Sequence, residues 1–402
     1  MLIGWDWASA THDVTVMDES GAGVDRFALT HDERGIEEAL AKLARHGRPE
    51  DLPVAIEATA SLVIDRLLAA GHPVVPIHPN AFHATRPRWG ASKAKSDPGD
   101  SFKLADYLRT ESHRLRRLRP LDEATAELQA LVRMREDHVE AKVAATNQLR
   151  ALLERHWPGA AAVFARVDSE IALHFVEDYP TPASAERLGE ARMTMFCRRH
   201  SYCGRRSAAE LLERVRQAAL PRSALGEDTL AELVRAQVRL VRTMLETIAE
   251  LDRAIGAALI VHPKAHLLAS MPRIGEINLA QIVAEVGPIL DRAADVEHAC
   301  AEIGAVPVTK ASGKGRAVTF RWAVNTRARA ALGIFADNSR HASPWAAERY
   351  AEARRRGKRH PHAVRILMRS WVRVMWVCWH SDTAYDQSLH GAERRVREVA
   401  AA

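Results

Sequence analysis

The order of strand and helix signals at the amino-terminal end is the feature that most constrains this fold. Five short stretches read as strands, at residues 2–7, 12–18, 24–29, 53–57 and 73–77. The second and third flank a Ser-Gly-Ala-Gly turn and therefore predict a β-hairpin. Helical spacing at 36–44 and 62–70 separates the later strands. A hairpin followed by strand, helix and strand predicts an α/β domain, with a mixed sheet and helices on its faces.

Beyond a further helix at 100–108, the chain becomes mostly helical. Residues 123–155 contain neither Gly nor Pro and predict one long helix. Residues 229–255 predict a second, whose apolar side chains recur at spacings of four and three, as in a coiled-coil seam. These two helices could pair with each other or with a second copy of the chain. The residues between them, 159–222, read as irregular.

The carboxy-terminal part predicts a compact, mostly α unit that contains a loop at 309–316. We therefore expect three regions. They are an α/β domain at 1–119, a long-helix coiled-coil region at 120–260 with an insertion near 159–226, and a mostly α domain at 261–402.

Composition narrows the class of protein. The chain has 402 residues, of which 47% are hydrophobic and 27% charged, and this balance is typical of a globular protein. A formal net charge of +6 permits a polyanionic partner without requiring one. We find no apolar run of about 18 residues, which a membrane span would need, and no signal peptide. Four cysteines are too few for a disulfide scaffold, so we expect a cytoplasmic protein.

Four acidic residues stand where the predicted strands and helix meet. Asp6 is in the first strand, Glu57 ends the fourth, and Asp97 and Asp100 lie three residues apart at the start of a helix. A carboxylate in an apolar strand is costly without a partner, and oxygen ligands suit Mg²⁺ or Mn²⁺. Each acid alone is explained as well by a strand edge, a helix cap or a surface position. The four together predict a metal site for displacement at phosphorus.

Ser312 is a second candidate. It precedes a glycine in the predicted loop, and three cations are near it in sequence, namely Lys310, Lys314 and Arg316. An activated serine could attack a phosphodiester, and the cations could stabilise the transition state. The same residues are also typical of a flexible basic surface loop.

Two further features could contact nucleic acid. The turn at 271–275 contains Arg273 and fits a helix-hairpin-helix, although a plain turn between helices fits equally. Arg114, Arg116 and Arg117 belong to a basic run at 109–119. Such a run could bind a nucleic-acid backbone or could be a solvated charged face.

Together these motifs resemble the DEDD-type insertion-sequence transposases of the one-ten family, which are bridge-RNA-guided recombinases. That family's RNase H/RuvC-like domain has Asp in strand one, Glu in strand four and a late Asp-x-x-Asp, here Asp6, Glu57, Asp97 and Asp100. Its carboxy-terminal transposase domain has a P-x-x-G turn, a Gly-x-x-Pro and a Ser-Gly, here at 272–275, 304–307 and 312–313. In this chain Arg273 replaces a glycine that the family turn often has.

The resemblance implies DNA strand exchange guided by a structured noncoding RNA. Ser312 would be the nucleophile, and Mg²⁺ held by the four acids would polarise the scissile phosphate. The partners would be the bridge RNA, donor and target DNA, and further copies of the chain in a dimer or dimer of dimers, with residues 229–255 as a place for that pairing. We expect the protein in the bacterial cytoplasm, with the nucleoid when active.

Other classes stay open. One is a RuvC-like metal-dependent nuclease or junction resolvase that forms no covalent intermediate. Another is an actin-like sugar kinase, whose opening strand is similar but whose Gly- and Thr-rich phosphate loops are missing from this sequence. A non-catalytic RNA-binding scaffold is the last.

Overall fold

The computed structural model describes residues 1–89, 97–219, 225–312 and 315–389, and only the backbone of Asp97, Pro98 and Arg316. These residues form two compact units, Met1–Pro120 and Leu121–Ala402. No helix in the described part of the chain is long and apolar enough to cross a membrane.

The first unit is built on a five-stranded mixed sheet in the order β3-β2-β1-β4-β5. The strands are β1 (Leu2–Asp6), β2 (Thr11–Met17), β3 (Gly23–Thr30), β4 (Val54–Ile56) and β5 (Val74–Pro76). β1 to β3 are antiparallel neighbours, whereas β1, β4 and β5 run parallel. The predicted hairpin and mixed sheet are confirmed.

Helices cover both faces of this sheet. They are α1 (Glu33–Leu43), α2 (Leu62–Ala69), α3 (Pro79–Thr85) and α4 (Asp97–Glu111). One face of the sheet, including Ile3 and Trp5 of β1, is buried together with side chains of α1 and α2. The other face, including Ala55 of β4, is buried together with α4. Successive strand residues point to opposite faces, so β1 and β4 each send alternate side chains toward α4.

The second unit contains two long helices, α5 (Glu123–His156) and α10 (Glu227–Val261), which pack along each other within the chain. Gln237 donates a hydrogen bond to the Ala145 carbonyl at 2.8 Å, and Arg135 pairs with Asp252. Four residues of the predicted seam, Val234, Val238, Val241 and Ile255, are at 0% exposure, whereas its other members between 245 and 251 are partly exposed. The pairing of the two long helices with each other, one of the two predicted alternatives, is therefore present, and pairing between copies of the chain through the seam stays a prediction.

The residues expected to be irregular are largely helical. They form α6 (Pro158–Val163), α7 (Glu170–Asp178), α8 (Glu190–Arg199) and α9 (Ala208–Gln217). These helices are short and are separated by prolines and glycines, which hid their periodicity. Phe175 joins them to one core, since its ring meets the edges of Phe164 at 5.9 Å and Phe196 at 5.6 Å between centroids.

The carboxy-terminal part is helical around one hairpin. Its elements are α11 (His266–Ala269), α12 (Glu276–Glu285), α13 (Gly287–Arg292), α14 (Val296–Ile303), β6 (Val308–Ser312), β7 (Gly315–Thr319), α15 (Thr326–Ser339), α16 (Pro344–Arg355) and α17 (His360–Ser381). The predicted loop at 309–316 is wrong, because β6 and β7 pair as antiparallel strands. Polar, exposed residues on this hairpin left no alternating pattern to detect.

Candidate active site

Asp6 and Glu57 come at the carboxyl ends of neighbouring parallel strands. Trp5 pairs with Ile56 in the β1–β4 register, and the next residue along each strand is Asp6 or Glu57. Neighbouring strands lie about 4.8 Å apart, so the two acids meet at one edge of the sheet. Ala55 faces α4, and Glu57, two residues later, points to the same side.

Helix α4 lies directly against β1 at Ser101 and Ala105. A Cβ on Gly4 would stand 1.9 Å from the Ser101 carbonyl oxygen, so only glycine lets the helix come so close. On the adjacent strand, the Thr15 and Ser101 hydroxyls share a buried 2.8 Å hydrogen bond. Gly4 and Asp6 are two residues apart and so point to the same face. The sheet therefore turns the Asp6 side chain toward the face against which this end of α4 packs.

Asp100 precedes Ser101 and is 3% exposed. Its two carboxylate oxygens are both held by cations: Arg86 Nη2 donates to Oδ2 at 2.9 Å, and Lys103 Nζ donates to Oδ1 at 2.8 Å. Arg86 Nε is buried and has no hydrogen-bond partner among the described residues. The negative charge of this buried acid is thus balanced by the chain's own basic side chains.

Asp97 is the first residue of α4, but its side chain lies outside the described residues. Across the part of the chain that is described, no three Asp, Glu, His or Cys side chains stand close enough together to hold a metal ion. The sheet brings Asp6 and Glu57 to one edge, and Asp100 belongs to the helix that packs against the same side of the sheet.

Sequence reasoning missed three members of this neighbourhood. Asp13 pairs directly opposite Asp6 on β2 and faces the same side as Thr15. Arg86 and Lys103 neutralise Asp100. The two-residue alternation of β2 could have indicated Asp13, whereas nothing in the sequence connects Arg86 to a helix that begins after it.

Ser312 ends β6 and is exposed near the tip of the β6–β7 hairpin, where it pairs with Gly315. Lys310 is exposed on the same strand and pairs with Ala317. Lys314 and the Arg316 side chain lie outside the described residues. The hairpin therefore presents a serine hydroxyl to solvent on an antiparallel ribbon.

The other predicted nucleic-acid contacts are all exposed. Arg114 lies 3.5 Å from Glu111, and Arg116 and Arg117 are exposed further along the same segment. Arg273 has φ of 56°, a left-handed conformation that favours glycine. This explains why a glycine suits that turn and shows that the arginine is accommodated there at a backbone cost.

Comparison with known proteins defines the class first. A family model described as Transposase matches residues 3–158, and one described as Transposase IS116/IS110/IS902 family matches residues 265–351. These two segments include the acid-bearing sheet and part of the carboxy-terminal unit, with the serine hairpin. The class is therefore that of transposases, which act on DNA.

The full-length relatives then give the family. The mini-circle putative transposase for IS117 of Streptomyces coelicolor is 30% identical over 96% of this chain and 95% of that protein. The insertion element IS900 uncharacterized 42 kDa protein of Mycobacterium paratuberculosis is 26% identical over 95% of this chain and 96% of its own length. The chain belongs to the IS110 family of transposases.

Proposed function

We propose that this transposase moves an insertion sequence by metal-assisted phosphoryl transfer, with Ser312 as the nucleophile. The observation that supports the proposal is that Asp6 and Glu57 follow paired residues of β1 and β4, while α4, which carries Asp100, packs against the same side of the sheet. The sheet edge at the ends of parallel strands is where α/β folds commonly bind ligands.

The donor set fits Mg²⁺ or Mn²⁺, because carboxylate oxygens are the ligands these ions prefer. Asp6, Glu57, Asp97 and Asp100 would hold the ion. A bound divalent ion supplies Lewis-acid polarisation of a scissile phosphate. Arg86 and Lys103 hydrogen-bond to the two oxygens of Asp100, and each oxygen keeps a second lone pair that could bind the ion.

In the covalent step, the Ser312 hydroxyl loses its proton and its oxygen attacks the phosphorus of a DNA phosphodiester. A phosphoserine bond forms, the bond to one deoxyribose oxygen breaks, and that oxygen leaves with a proton. A hydroxyl of a second strand then attacks the phosphoserine and releases the serine. Lys310, on the same strand, is placed to bind a DNA phosphate by charge.

The finer features of the proposal follow from the family. For the structure, they are a RuvC-like fold of the first unit and a division into three domains with a coiled-coil region. For the activity, they are guidance by a noncoding bridge RNA, assembly into a dimer or dimer of dimers, and location of the protein in the cytoplasm. The mixed sheet supports the proposed fold of the first unit, the long paired helices support the coiled-coil region, and the exposed basic side chains support nucleic-acid partners.

The decisive experiment traps the covalent intermediate. Full-length protein is incubated with labelled junction DNA, the element's noncoding RNA and Mg²⁺, and the reaction is stopped with denaturant. We expect a protein–DNA adduct that Ser312→Ala does not form. Thr309→Ala, at another exposed hydroxyl of the same strand, is the matched control and should form the adduct.

An adduct that persists in Ser312→Ala would place the nucleophile elsewhere. Hydrolysis of branched DNA with no adduct in the unsubstituted protein would instead favour the metal-dependent resolvase. These two outcomes separate the role of Ser312 from the role of the acids Asp6, Glu57 and Asp100.

A further inference from the structure

A basic groove lies at the base of the β6–β7 hairpin, where the end of β7 faces the first turns of α17. It has a volume of about 280 Å³, and it continues into a second hollow of about 460 Å³ through His362 and Arg365, which line both. The basic side chains lining the two are Arg321, Lys358, Arg359, His362, Arg365 and Arg369. We call this surface the basic groove.

The positive charge of the basic groove is largely uncompensated. No carboxylate belongs to the described lining of either hollow. Arg369 pairs with Glu297 at 2.7 Å, but no described carboxylate forms an ion pair with Lys358, Arg359 or Arg365. In a chain with 51 acidic residues, a surface that excludes them is complementary to an anion.

Burial and neighbouring positive charge lower the pKa of two side chains that line the groove. Burial lowers the pKa of Arg365, and the nearby Arg329 guanidinium lowers it further. Burial also lowers the pKa of His362, helped by the charges of Lys358 and Arg365. A bound phosphate would relieve this repulsion.

An aromatic pair stands beside these cations. Two guanidinium groups lie over the Phe320 ring, that of Arg329 at 4.8 Å and that of Arg365 at 5.1 Å from the ring centroid. Trp322 meets the Phe320 ring edge-on at 4.9 Å, and it is 78% exposed. A tryptophan that is 78% exposed leaves at least one ring face open to another planar group.

Trp322 is held in this exposed position by an anchored backbone. The Arg321 carbonyl accepts a hydrogen bond from Arg329 Nη1 at 3.0 Å, and the Asn325 backbone N–H donates to the Glu302 carbonyl at 3.0 Å. The segment that carries Trp322 is thus tied to α14 and α15 on both sides. A platform fixed in advance loses less entropy when a ligand binds.

We propose that the basic groove binds a single strand of nucleic acid, with phosphates on Lys358, Arg359 and Arg365 and an unpaired base stacked on Trp322. The proposal rests on the proposed function, because it needs a nucleic acid near the hairpin. Thr319 at the hairpin base pairs with Val308, four residues from Ser312, which is about 13 Å along a strand. The Thr319 end of the groove is therefore about 13 Å from Ser312 along the hairpin.

The alternatives explain less. An acidic peptide would use the cations but would leave the indole faces unused. A fully paired duplex hides its base faces by internal stacking, whereas every unpaired base offers a face to an aromatic platform. DNA and RNA strands share this chemistry, so the experiment includes both.

The test measures binding by the full-length protein without divalent metal. The probes are a single-stranded DNA, the RNA of the same sequence and the fully paired DNA duplex, each with one 2-aminopurine. We expect Trp322→Ala to weaken single-strand binding about tenfold and to abolish the 2-aminopurine quenching that stacking causes. Trp322→Phe should keep most of both. Ile260→Ala, at an apolar side chain that is 86% exposed on α10, is the control and should change neither.

Lys358→Gln tests the phosphate contacts, and it should lower the slope of binding against salt by about one. Arg34→Gln, at an exposed cation of the first unit, should leave the slope unchanged. The strand, DNA or RNA, on which Trp322→Ala loses affinity identifies the occupant. Unchanged single-strand binding in Trp322→Ala, or an equal loss on the duplex, would overturn the proposal. Because no metal or strand cutting is needed, this result is independent of the adduct experiment with Ser312→Ala.

Discussion

Charge is paired at Asp100 in the first unit but largely unpaired in the basic groove of the second unit. Asp100 is buried and closed in by Arg86 and Lys103, which bind both of its oxygens. In the basic groove, Lys358 and Arg365 have no described carboxylate partner and face solvent or a hollow. The acid Asp100 is thus part of a closely packed, buried contact, whereas the cations of the basic groove lie at the surface. Substitutions should therefore disturb folding in the first region and mainly binding in the second.

The largest expected effect concerns Asp100. Asp100→Asn keeps the shape of the side chain but removes a negative charge, so transposition in a cell-based assay should fall by more than about a hundredfold. Asp106→Asn is the matched control on the same helix. Asp106 accepts hydrogen bonds from Trp89 and Arg109, and the proposal uses neither of these residues. Equal activity in Asp100→Asn and the control would contradict the metal site.

The contact between Gly4 and α4 gives the next largest effect. Gly4→Ala would put a methyl group 1.9 Å from the Ser101 oxygen and 2.5 Å from the Ala105 nitrogen, so the helix must move away from the sheet. We expect a loss of about 3 kcal/mol or more in the free energy of unfolding, measured with urea. Gly23→Ala, where a Cβ meets no atom within 4 Å, should be close to neutral. Two similar values would mean that α4 is not held at Gly4.

Acid should weaken the first unit through His12. Its ring is fully buried, and burial, together with the charge of His31, lowers its pKa to about 4 from 6.5. Between these values the unfolded chain binds the proton more readily, so stability is complete above pH 6.5 and falls as the pH drops toward 4. From pH 7.5 to 5 the loss is about 2 kcal/mol in urea titrations. His12→Gln should flatten this dependence, and His113→Gln, at an exposed histidine, should leave it intact.

The smallest effect is a gain. Arg273→Gly removes the strain of a left-handed arginine on the exposed turn before α12, so the free energy of unfolding should rise by about 1 kcal/mol. The same substitution at Arg253, inside α10, should lower it by about 1 kcal/mol, since glycine is a poor helix former. A loss at Arg273 as large as at Arg253 would mean that the arginine side chain holds the turn in place.

Much of the first unit could be predicted, because its strands are short, apolar and separated by clear turns. Strand order along the chain was enough to bring Asp6 and Glu57 to one edge. The close approach of α4 was not predictable, since Gly4 shows its purpose only when Ser101 is known to lie against it.

The second unit was predictable only in part. The two long helices carry strong periodicity and lack Gly and Pro, whereas the short helices between them and the β6–β7 hairpin do not reveal themselves by pattern. The basic groove joins Arg321 to Arg365, which are far apart in sequence, so no local motif could indicate it. Trp322 was equally hidden, because an exposed tryptophan and a core tryptophan look alike in a sequence.

The salt bridges around Asp100 have a consequence for how the protein starts its work. A helix whose buried acid is already neutralised can fold as soon as it is synthesised, whatever the supply of divalent ions in the cell. Under the proposed function, an ion at Asp100 would share the carboxylate with these two cationic groups, so Arg86 and Lys103 would weaken its binding by charge repulsion.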